Sequence, residues 1–213
     1  MNSNEKQVTY TISNTYSTLN ELTEQTKRVW FVFHGLGQLS TYFIRYFNEL
    51  PSKENYIIAP QAQSKYYLNS SYSRVGACWL TKNNTGEGIE NALEYIDTVH
   101  RNEKIPARCE LIILGFSQGV SMATRWVASR KLECHHLVLY AGSLPKELIP
   151  ADFAHLLGKQ SKVTSILGDT DAYINEKRRH EEDAKTEHLF QGRATLVHFE
   201  GGHEIKKEII NAL

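Results

Sequence analysis

The sequence predicts a single α/β domain in which helices cover both faces of a mostly parallel sheet. Short, almost continuous apolar runs, such as Arg28 to Phe33 and Leu111 to Leu114, alternate with segments of helical periodicity. This alternation is typical of buried parallel strands joined by helices, and several runs end in glycine-rich loops, where open sheets build their sites. The 213 residues are 41% hydrophobic, which is enough for one core, so we expect one domain over residues 1–213.

The N-terminal third of the sequence is predicted to form a sheet edge followed by two inner strands. Gln7 to Ser13 alternates apolar and polar side chains, and the alternation resumes over Tyr16 to Leu19, which predicts an N-terminal edge hairpin. Arg28 to Phe33 and Tyr56 to Ala59 predict inner strands, and the apolar residues from Phe43 to Leu50 predict a helix between them.

A long segment from Gln61 to Thr85 has no sustained periodicity but is rich in aromatic residues. Loops of this length in compact domains are usually functional or mobile. Its large aromatic side chains are Tyr66, Tyr67, Tyr72 and Trp79. They fit either an aromatic wall over a substrate pocket or simple packing on the rim of the sheet, and the residues alone leave both possibilities open.

The rest of the chain repeats the strand–helix alternation. Predicted helices are the amphipathic Ile89 to Val99, a run behind Gly119, a short one near Ala151 to Leu157, the charged Ile174 to Phe190 and a closing one with Ile205, Ile209, Ile210 and Leu213. Predicted strands are Leu137 to Tyr140, Lys162 to Leu167 and Thr195 to Phe199.

Composition and charge argue against several classes of partner. The 24 basic residues balance the 24 acidic ones, so no net field favours nucleic acid or an anionic membrane surface. The N-terminus is polar and no apolar run approaches the ~20 residues of a membrane span, so we expect no integral membrane association. Cys78, Cys109 and Cys134 have no C-x-x-C spacing, which favours reduced thiols and a cytoplasmic location.

Ser117 is the candidate nucleophile because it lies at the centre of G-x-S-x-G directly after the apolar run Leu111 to Leu114. A serine hydroxyl that must stand clear of a sheet occupies a tight, strained strand-to-helix turn. Gly115 and Gly119 allow the strand and the helix to pass close together. Small and apolar residues at helical spacing follow the motif, which strengthens this interpretation.

A serine nucleophile needs a base, and His203 is the best placed of the nine histidines. It follows the last predicted strand and two glycines, which permit a tight approach to the site. It also lies at the start of the predicted closing helix, whose positive N-terminal end would favour a neutral imidazole. The order of serine, acid and histidine along the chain fits the α/β-hydrolase plan.

The acid that orients the histidine is Asp169 or Asp171, since both follow the strand Lys162 to Leu167. Sequence position does not separate the two, and the other aspartate would then cap a turn or helix.

The amides of Leu36 and Gln118 are candidate oxyanion donors. Leu36 lies in the glycine-rich loop after Arg28 to Phe33, and Gln118 follows the nucleophile. His34, in the same loop, is expected to have a structural role. No H-E-x-x-H motif or other cluster at metal-ligand spacing is present in the sequence, so we expect neither a metal nor a cofactor.

Together these motifs resemble the phospholipase/carboxylesterase group of small α/β-hydrolases, which includes bacterial carboxylesterases and acyl-protein thioesterases. The resemblance runs from about residue 28 to the C-terminus. It rests on F-H-G-L-G at residues 33–37, G-F-S-Q-G at 115–119, G-D-T-D at 168–171 and G-H at 202–203.

The resemblance implies a role for individual positions. It places the acid at the second aspartate of G-D-x-D, which is Asp171, and oxyanion amides at Leu36 and Gln118. It also implies that Trp79 lies beside the substrate pocket. The chain departs from the usual family pattern at Gln38, where an aspartate is usual, and at Ala172, where a proline is usual.

The expected function is hydrolysis of a small-molecule ester or thioester through an acyl-enzyme on Ser117, most simply a carboxylesterase acting on small to medium acyl groups. An acyl-protein thioesterase or lysophospholipase would use the same residues. A non-catalytic ligand-binding protein on a hydrolase scaffold is the alternative from a different class. Fold alone does not identify a substrate.

Overall fold

The computed structural model describes residues 3–157 and 160–213. Its strands are β1 (Tyr16–Leu19), β2 (Arg28–Phe33), β3 (Asn55–Pro60), β4 (Ser64–Tyr67), β5 (Val75–Cys78), β6 (Glu110–Phe116), β7 (His136–Tyr140), β8 (Lys162–Gly168) and β9 (Thr195–Phe199). Seven of the described strands form one sheet in the order β1-β3-β2-β6-β7-β8-β9. Every neighbouring pair in this sheet is parallel except β1 and β3.

Helices connect most of the parallel strands. They are α1 (Ser40–Phe43), α2 (Thr85–Glu103), α3 (Gln118–Arg130), α4 (Ala154–Leu157), α5 (Glu176–Leu189) and α6 (Lys207–Asn211), with 3₁₀ turns at Ile44–Phe47 and Pro150–Phe153. Within the described part of the chain, no helix is long and apolar enough to cross a membrane.

Strand β2 shows how the sheet separates two cores. Val29, Phe31 and Phe33 pack on one face with residues of α2 and α3, whereas Trp30 and Val32 pack on the other with residues of α1 and α6. All five side chains are fully buried, and each large apolar side chain so buried contributes about 1.5–3 kcal/mol. The predicted mostly parallel sheet with helices on both faces is thus confirmed, and the inner strands lie within two residues of their predicted limits.

The predicted N-terminal hairpin is wrong in its first half. Tyr16–Leu19 forms the antiparallel edge strand β1, but Gln7 to Ser13 has no strand. Val8, Tyr10 and Ile12 are 81%, 74% and 64% exposed. Their alternation resembles that of a strand, but these side chains have no face of the sheet to cover, so no partner strand forms there.

The aperiodic segment after β3 contains an antiparallel hairpin, β4–β5, which the sequence did not predict. Strand β4 is exposed along its whole length, while the last three residues of β5 are buried. The hairpin is tied to the loop after β2, because the Gly37 amide donates to the Ala77 carbonyl at 2.8 Å. It therefore forms one wall beside the carboxyl ends of the central strands.

Candidate active site

Ser117 lies on a sharp turn between β6 and α3. Its backbone has φ 54° and ψ −119°, a conformation that a residue with a side chain adopts at a cost of about 1–3 kcal/mol. Two hydrogen bonds hold this turn: the Ser117 amide donates to the Tyr140 carbonyl at 2.9 Å, and the Val120 amide donates to the Ser117 carbonyl at 3.0 Å. A Cβ at Gly119 would overlap the Phe33 carbonyl oxygen, so α3 approaches β2 this closely only with glycine there.

His203 lies in the loop after β9 and faces the serine. Its Nε2 is 2.8 Å from Ser117 Oγ, and its Nδ1 is 2.7 Å from Asp171 Oδ2. With Nδ1–H donating to the carboxylate, Nε2 is left to accept the proton of the serine hydroxyl. The imidazole lies near the rings of Phe116 and Tyr173, with centroid distances of 5.1 and 4.8 Å.

The predicted position of His203 at the start of the closing helix is wrong. Helix α6 begins at Lys207 and has five residues, so the histidine precedes it by four positions in an irregular loop. The electrostatic effect of a helix N-terminus falls off within one turn, so α6 does not explain which tautomer His203 adopts. The buried carboxylate of Asp171 orients the ring instead.

The two candidate aspartates have different partners. Asp171 is 4% exposed, and besides its contact with His203 its Oδ1 accepts from the Tyr173 amide at 2.8 Å. Asp169 is exposed and accepts from the Gly201 amide at 3.0 Å, which anchors the loop that carries the histidine. The two aspartates thus occupy different positions: Asp171 faces the imidazole, and Asp169 supports the loop that carries it.

The loop after β2 presents the Leu36 amide. The neighbouring amides are occupied, because Gly35 donates to Gln38 Oε1 and Gly37 to the Ala77 carbonyl, both at 2.8 Å. The Leu36 amide donates to no acceptor among residues 3–157 and 160–213. Gln118 is the first residue of α3, so its amide lies ahead of the first intrahelical bond.

His34 is buried beneath this loop and has a structural role. Its Nδ1–H donates to the Gly35 carbonyl at 2.8 Å, and its Nε2 accepts from the Ala62 amide at 3.1 Å. Burial lowers the pKa of His34 to about 4, so the imidazole stays neutral at ordinary pH. It joins the loop to the start of the β4–β5 segment.

Trp79 is 4% exposed and lies behind the site. Its indole Nε1–H donates to the His34 carbonyl at 2.8 Å, and its amide donates to Gln118 Oε1 at 2.8 Å. Gln118 Nε2 donates in turn to the Leu80 carbonyl at 2.8 Å. The Gln118 side chain therefore ties residues 78–80 to the nucleophile turn, a role that sequence reasoning missed because the two partners are about forty positions apart.

Tyr140 supports both the turn that carries Ser117 and the loop that carries His203. Its carbonyl accepts from the Ser117 amide, and its hydroxyl accepts from the Lys206 amide at 3.1 Å, three residues beyond His203. Burial raises the pKa of Tyr140 to about 12, so the phenol stays protonated. Nothing in the sequence distinguished this tyrosine from an ordinary core residue of β7.

A cleft of about 700 Å³ opens beside the Leu36 loop. One side is formed by α1 and the 3₁₀ turn behind it, and the other by the β4–β5 hairpin. The residues lining it include Gly37, Gln38, Tyr42, Phe43, Arg45, Tyr46, Leu68, Arg74, Val75 and Lys207. The cleft was not predicted, because its walls come from segments far apart in sequence.

A sequence model of the phospholipase/carboxylesterase family matches residues 14–213, almost the whole chain. The chain belongs to the phospholipase/carboxylesterase family. Membership supports a hydrolase of the esterase or thioesterase type. The family resemblance inferred from the sequence motifs is thereby confirmed. Comparison with curated protein sequences gave no significant match.

Solved structures share the fold of this family member. The acyl-protein thioesterase 2 of Zea mays matches 94% of this chain and 96% of its own, with a TM-score of 0.70 and 17% identity. A phospholipase/carboxylesterase from Dyadobacter fermentans matches 96% and 97%, with a TM-score of 0.64 and 19% identity. The esterase PE8 matches 94% and 97%, also with a TM-score of 0.64 and 19% identity. The α/β-hydrolase fold is thus confirmed.

The departure at Gln38 from the usual family pattern has a visible consequence. Its side-chain oxygen accepts from the Gly35 amide at 2.8 Å, and the residue also lines the cleft. A neutral amide therefore stands where an aspartate would bring a negative charge to the cleft.

Proposed function

We propose that this family member is a serine hydrolase that cleaves carboxylic esters or thioesters through an acyl-enzyme. Ser117 is the nucleophile, His203 the general base and acid, and Asp171 the residue that orients the imidazole. The observation that carries the proposal is the continuous chain of contacts from Asp171 Oδ2 through both nitrogens of His203 to Ser117 Oγ, at 2.7 and 2.8 Å.

Acylation begins when Ser117 Oγ attacks the substrate carbonyl carbon and its proton passes to His203 Nε2. The imidazolium that forms is stabilised by the Asp171 carboxylate, which is fully buried and therefore weakly screened. His203 then protonates the departing oxygen or sulfur, and the acyl group remains on Ser117. In deacylation His203 takes a proton from water as the water oxygen attacks the acyl carbon; the bond to Ser117 Oγ then breaks, His203 returns the proton to Oγ, and the acid is released.

The amides of Leu36 and Gln118 are proposed to stabilise the tetrahedral oxyanion. The free Leu36 N–H and the position of Gln118 at the start of α3 support this assignment. Losing one such donor typically costs about 3 kcal/mol of transition-state stabilisation. Trp79 is proposed to shape the pocket from below, since it holds both the His34 carbonyl and the Gln118 side chain.

The favoured substrates are small molecules with small to medium acyl groups. The cleft beside the Leu36 loop, which Ser117 and His203 do not line within the described part of the chain, has a volume within the ~300–1,000 Å³ of ordinary small-molecule sites. Comparing kcat/KM for short-chain nitrophenyl esters, matched thioesters and an S-acylated protein separates a carboxylesterase from a thioesterase. Cleavage of thioesters without turnover of any oxygen ester would contradict the carboxylesterase preference.

Intact-mass labelling with a fluorophosphonate tests the proposal most directly. The wild type should gain one adduct per chain, and Ser117→Ala and His203→Ala should gain none over the same time. Ser121→Ala, a change of another serine near the nucleophile turn, is the matched control and should label like the wild type. A folded wild type that forms no adduct would instead support a non-catalytic binding protein.

A further inference from the structure

We propose that the substrate carries an anionic group, a carboxylate or phosphate, and that Arg45 and Arg74 bind this group in the cleft beside the Leu36 loop. This inference rests on the proposed hydrolase function and adds a substrate class to it. The anionic group belongs either to the acyl part of the substrate or to its leaving group, and the experiment below distinguishes these two sources.

The charge of the cleft is one-sided although the chain as a whole has a formal net charge of zero. The cations Arg45, Arg74 and Lys207 line it, and no aspartate or glutamate is among the described residues that form its walls. Lys207 is paired with Glu49 at 2.9 Å. Within residues 3–157 and 160–213, neither arginine has a carboxylate within 4 Å, so two guanidinium groups remain unneutralised beside one cavity.

Arg45 is already oriented for binding. Its guanidinium carbon lies 5.0 Å from the centre of the Tyr42 ring, a cation–π contact that restricts the side chain. A guanidinium that stacks on a ring keeps its N–H groups at the edge for a second partner, and those donors match the paired oxygens of a carboxylate or phosphate.

Arg74 projects from an ordered part of the opposite wall. Its carbonyl accepts from the Leu68 amide at 2.8 Å, which extends the pairing of the β4–β5 hairpin beyond the strands themselves. The hairpin is in turn fixed to the Leu36 loop by the bond from the Gly37 amide to the Ala77 carbonyl. The two arginines therefore belong to separate walls whose positions relative to the loop are both defined.

Two residues that line the cleft, Gln38 and Phe43, contact residues next to Ser117. Gln38 bonds to the Gly35 amide, and a Cβ at Gly35 would come within 3.1 Å of Ser117 Cβ. On the α1 side of the cleft, the Phe43 ring stacks on the Phe116 ring, with a centroid distance of 6.2 Å. Ser117 and His203 are not among the described residues that line the cleft, so the proposal requires a substrate whose carbonyl reaches Ser117 to extend past Gln38 into the cleft, where its terminal anion meets the arginines.

The neutral side chain of Gln38 is consistent with this assignment. An aspartate at this position would place a negative charge at the inner end of the cleft and repel an anionic substrate. The concave shape and limited volume favour a small anion over an extended polyanion, for which the balanced overall charge gives no general attraction.

Two matched substrate pairs test the proposal. The first compares the nitrophenyl ester of hexanoate with the mono-nitrophenyl ester of adipate, which adds a carboxylate at the far end of the acyl chain. The second compares hexanoyl-coenzyme A with the neutral hexanoyl-N-acetylcysteamine thioester, which moves the charge to the leaving group. The enzymes are the wild type, Arg45→Gln, Arg74→Gln and the control Arg101→Gln, which removes an exposed arginine on α2.

In at least one pair, the wild type should show the higher kcat/KM on the anionic member. Each cleft variant should lower that value about tenfold while leaving the neutral member within about threefold, since one charge-assisted contact is lost. The control should change neither. The pair that responds identifies the source of the charge.

The proposal is overturned if the wild type handles both members of each pair alike, or if the cleft variants lower both members equally. It is also overturned if the wild type prefers an anion but neither cleft variant reduces the preference. Calorimetric binding of adipate against hexanoate, and of coenzyme A against N-acetylcysteamine, to Ser117→Ala provides a readout that needs no turnover. Equal binding of both members in each comparison would contradict the anion site, whereas failure of fluorophosphonate labelling would contradict the hydrolase function alone.

Discussion

The proposed reaction centre and the cleft beside it are held in different ways. At the reaction centre, both Asp171 oxygens have partners, the Ser117 amide is bonded to β7, and the carboxylate side chain is fully buried. In the cleft, the arginines are exposed, and strand β4 is exposed along its length. The difference suggests that the proposed reaction centre is fixed by buried hydrogen bonds, whereas the proposed anion site depends on exposed side chains, of which Arg45 is restrained by its contact with Tyr42.

The largest expected effect comes from replacing Asp171 and Asp169 one at a time. Asp171→Asn should reduce kcat by about 10⁴-fold, because an amide opposite His203 favours the wrong tautomer. Asp169→Asn keeps an acceptor for the Gly201 amide and should lower kcat by less than about tenfold. Steady-state rates on one nitrophenyl ester, with circular dichroism of each variant, check this. Similar losses in both variants would mean that the acid role is not confined to Asp171.

A second comparison concerns how little space surrounds the reaction centre. Gly119→Ala would force a methyl group against the Phe33 carbonyl oxygen, and we expect a destabilisation of at least about 4 kcal/mol or loss of the folded state. Gly86→Ala is the matched control, because a Cβ there has no neighbour within 4 Å and α2 gains up to about 1 kcal/mol of helix propensity. Urea unfolding measures both. A Gly119→Ala protein as stable as the wild type would show that α3 can move away from β2.

The buried histidines His34 and His136 should make the stability of the folded protein decrease in acid. Burial lowers the pKa of His34 and of His136 to about 4, whereas an unfolded histidine has a pKa of about 6.5. Between these two pKa values the unfolded state binds more protons than the folded state. The free energy of unfolding therefore has its full value above about pH 6.5 and decreases as the pH falls. Each histidine accounts for a loss of about 2 kcal/mol between about pH 6.5 and about pH 5.

Urea unfolding at about pH 7 and about pH 5 measures this dependence. His136→Gln retains a side-chain partner for the Thr164 hydroxyl, which contacts His136 Nε2 at 2.8 Å, but it cannot titrate. Its free energy of unfolding should fall less steeply with acid than that of the wild type. Identical slopes would place the acid sensitivity elsewhere.

The smallest effect is expected in the cleft. Tyr42→Ala removes the ring beneath Arg45, a contact worth about 0.5–1 kcal/mol at an exposed position. Thermal unfolding should change little, and kcat/KM on a neutral ester should stay within about threefold. A large loss on the neutral ester would show that the wall of the cleft also positions the reacting groups.

Most residues of the proposed reaction centre could be proposed from the sequence because they follow local rules. Ser117 lies in a strand–turn–helix motif, and His203 follows the last strand after two glycines, so each position could be derived from its neighbours. Asp169 and Asp171 lie two positions apart in one loop, and only tertiary contacts separate them. The predicted start of the closing helix was wrong because apolar spacing alone did not indicate that residues 203–206 remain irregular.

The cleft was not predictable from local patterns. Arg45, Arg74 and Lys207 are distant in sequence and come together only after folding. The β4–β5 hairpin has no clean alternation, since β4 is exposed on both faces and only β5 is partly buried. Residues 8–12 show the opposite case: their apolar and polar side chains alternate clearly, but they form no strand because there is no surface for the apolar side chains to cover. Periodicity therefore predicts structure only where burial supports it.

Tyr140 connects both sides of the site to one strand. Its backbone holds the turn that carries the serine, and its phenol holds the loop that carries the histidine. Strand β7, which contains it, lies inside the sheet between β6 and β8. A displacement of β7 would therefore move Ser117 and His203 together, which favours a constant separation between Oγ and Nε2.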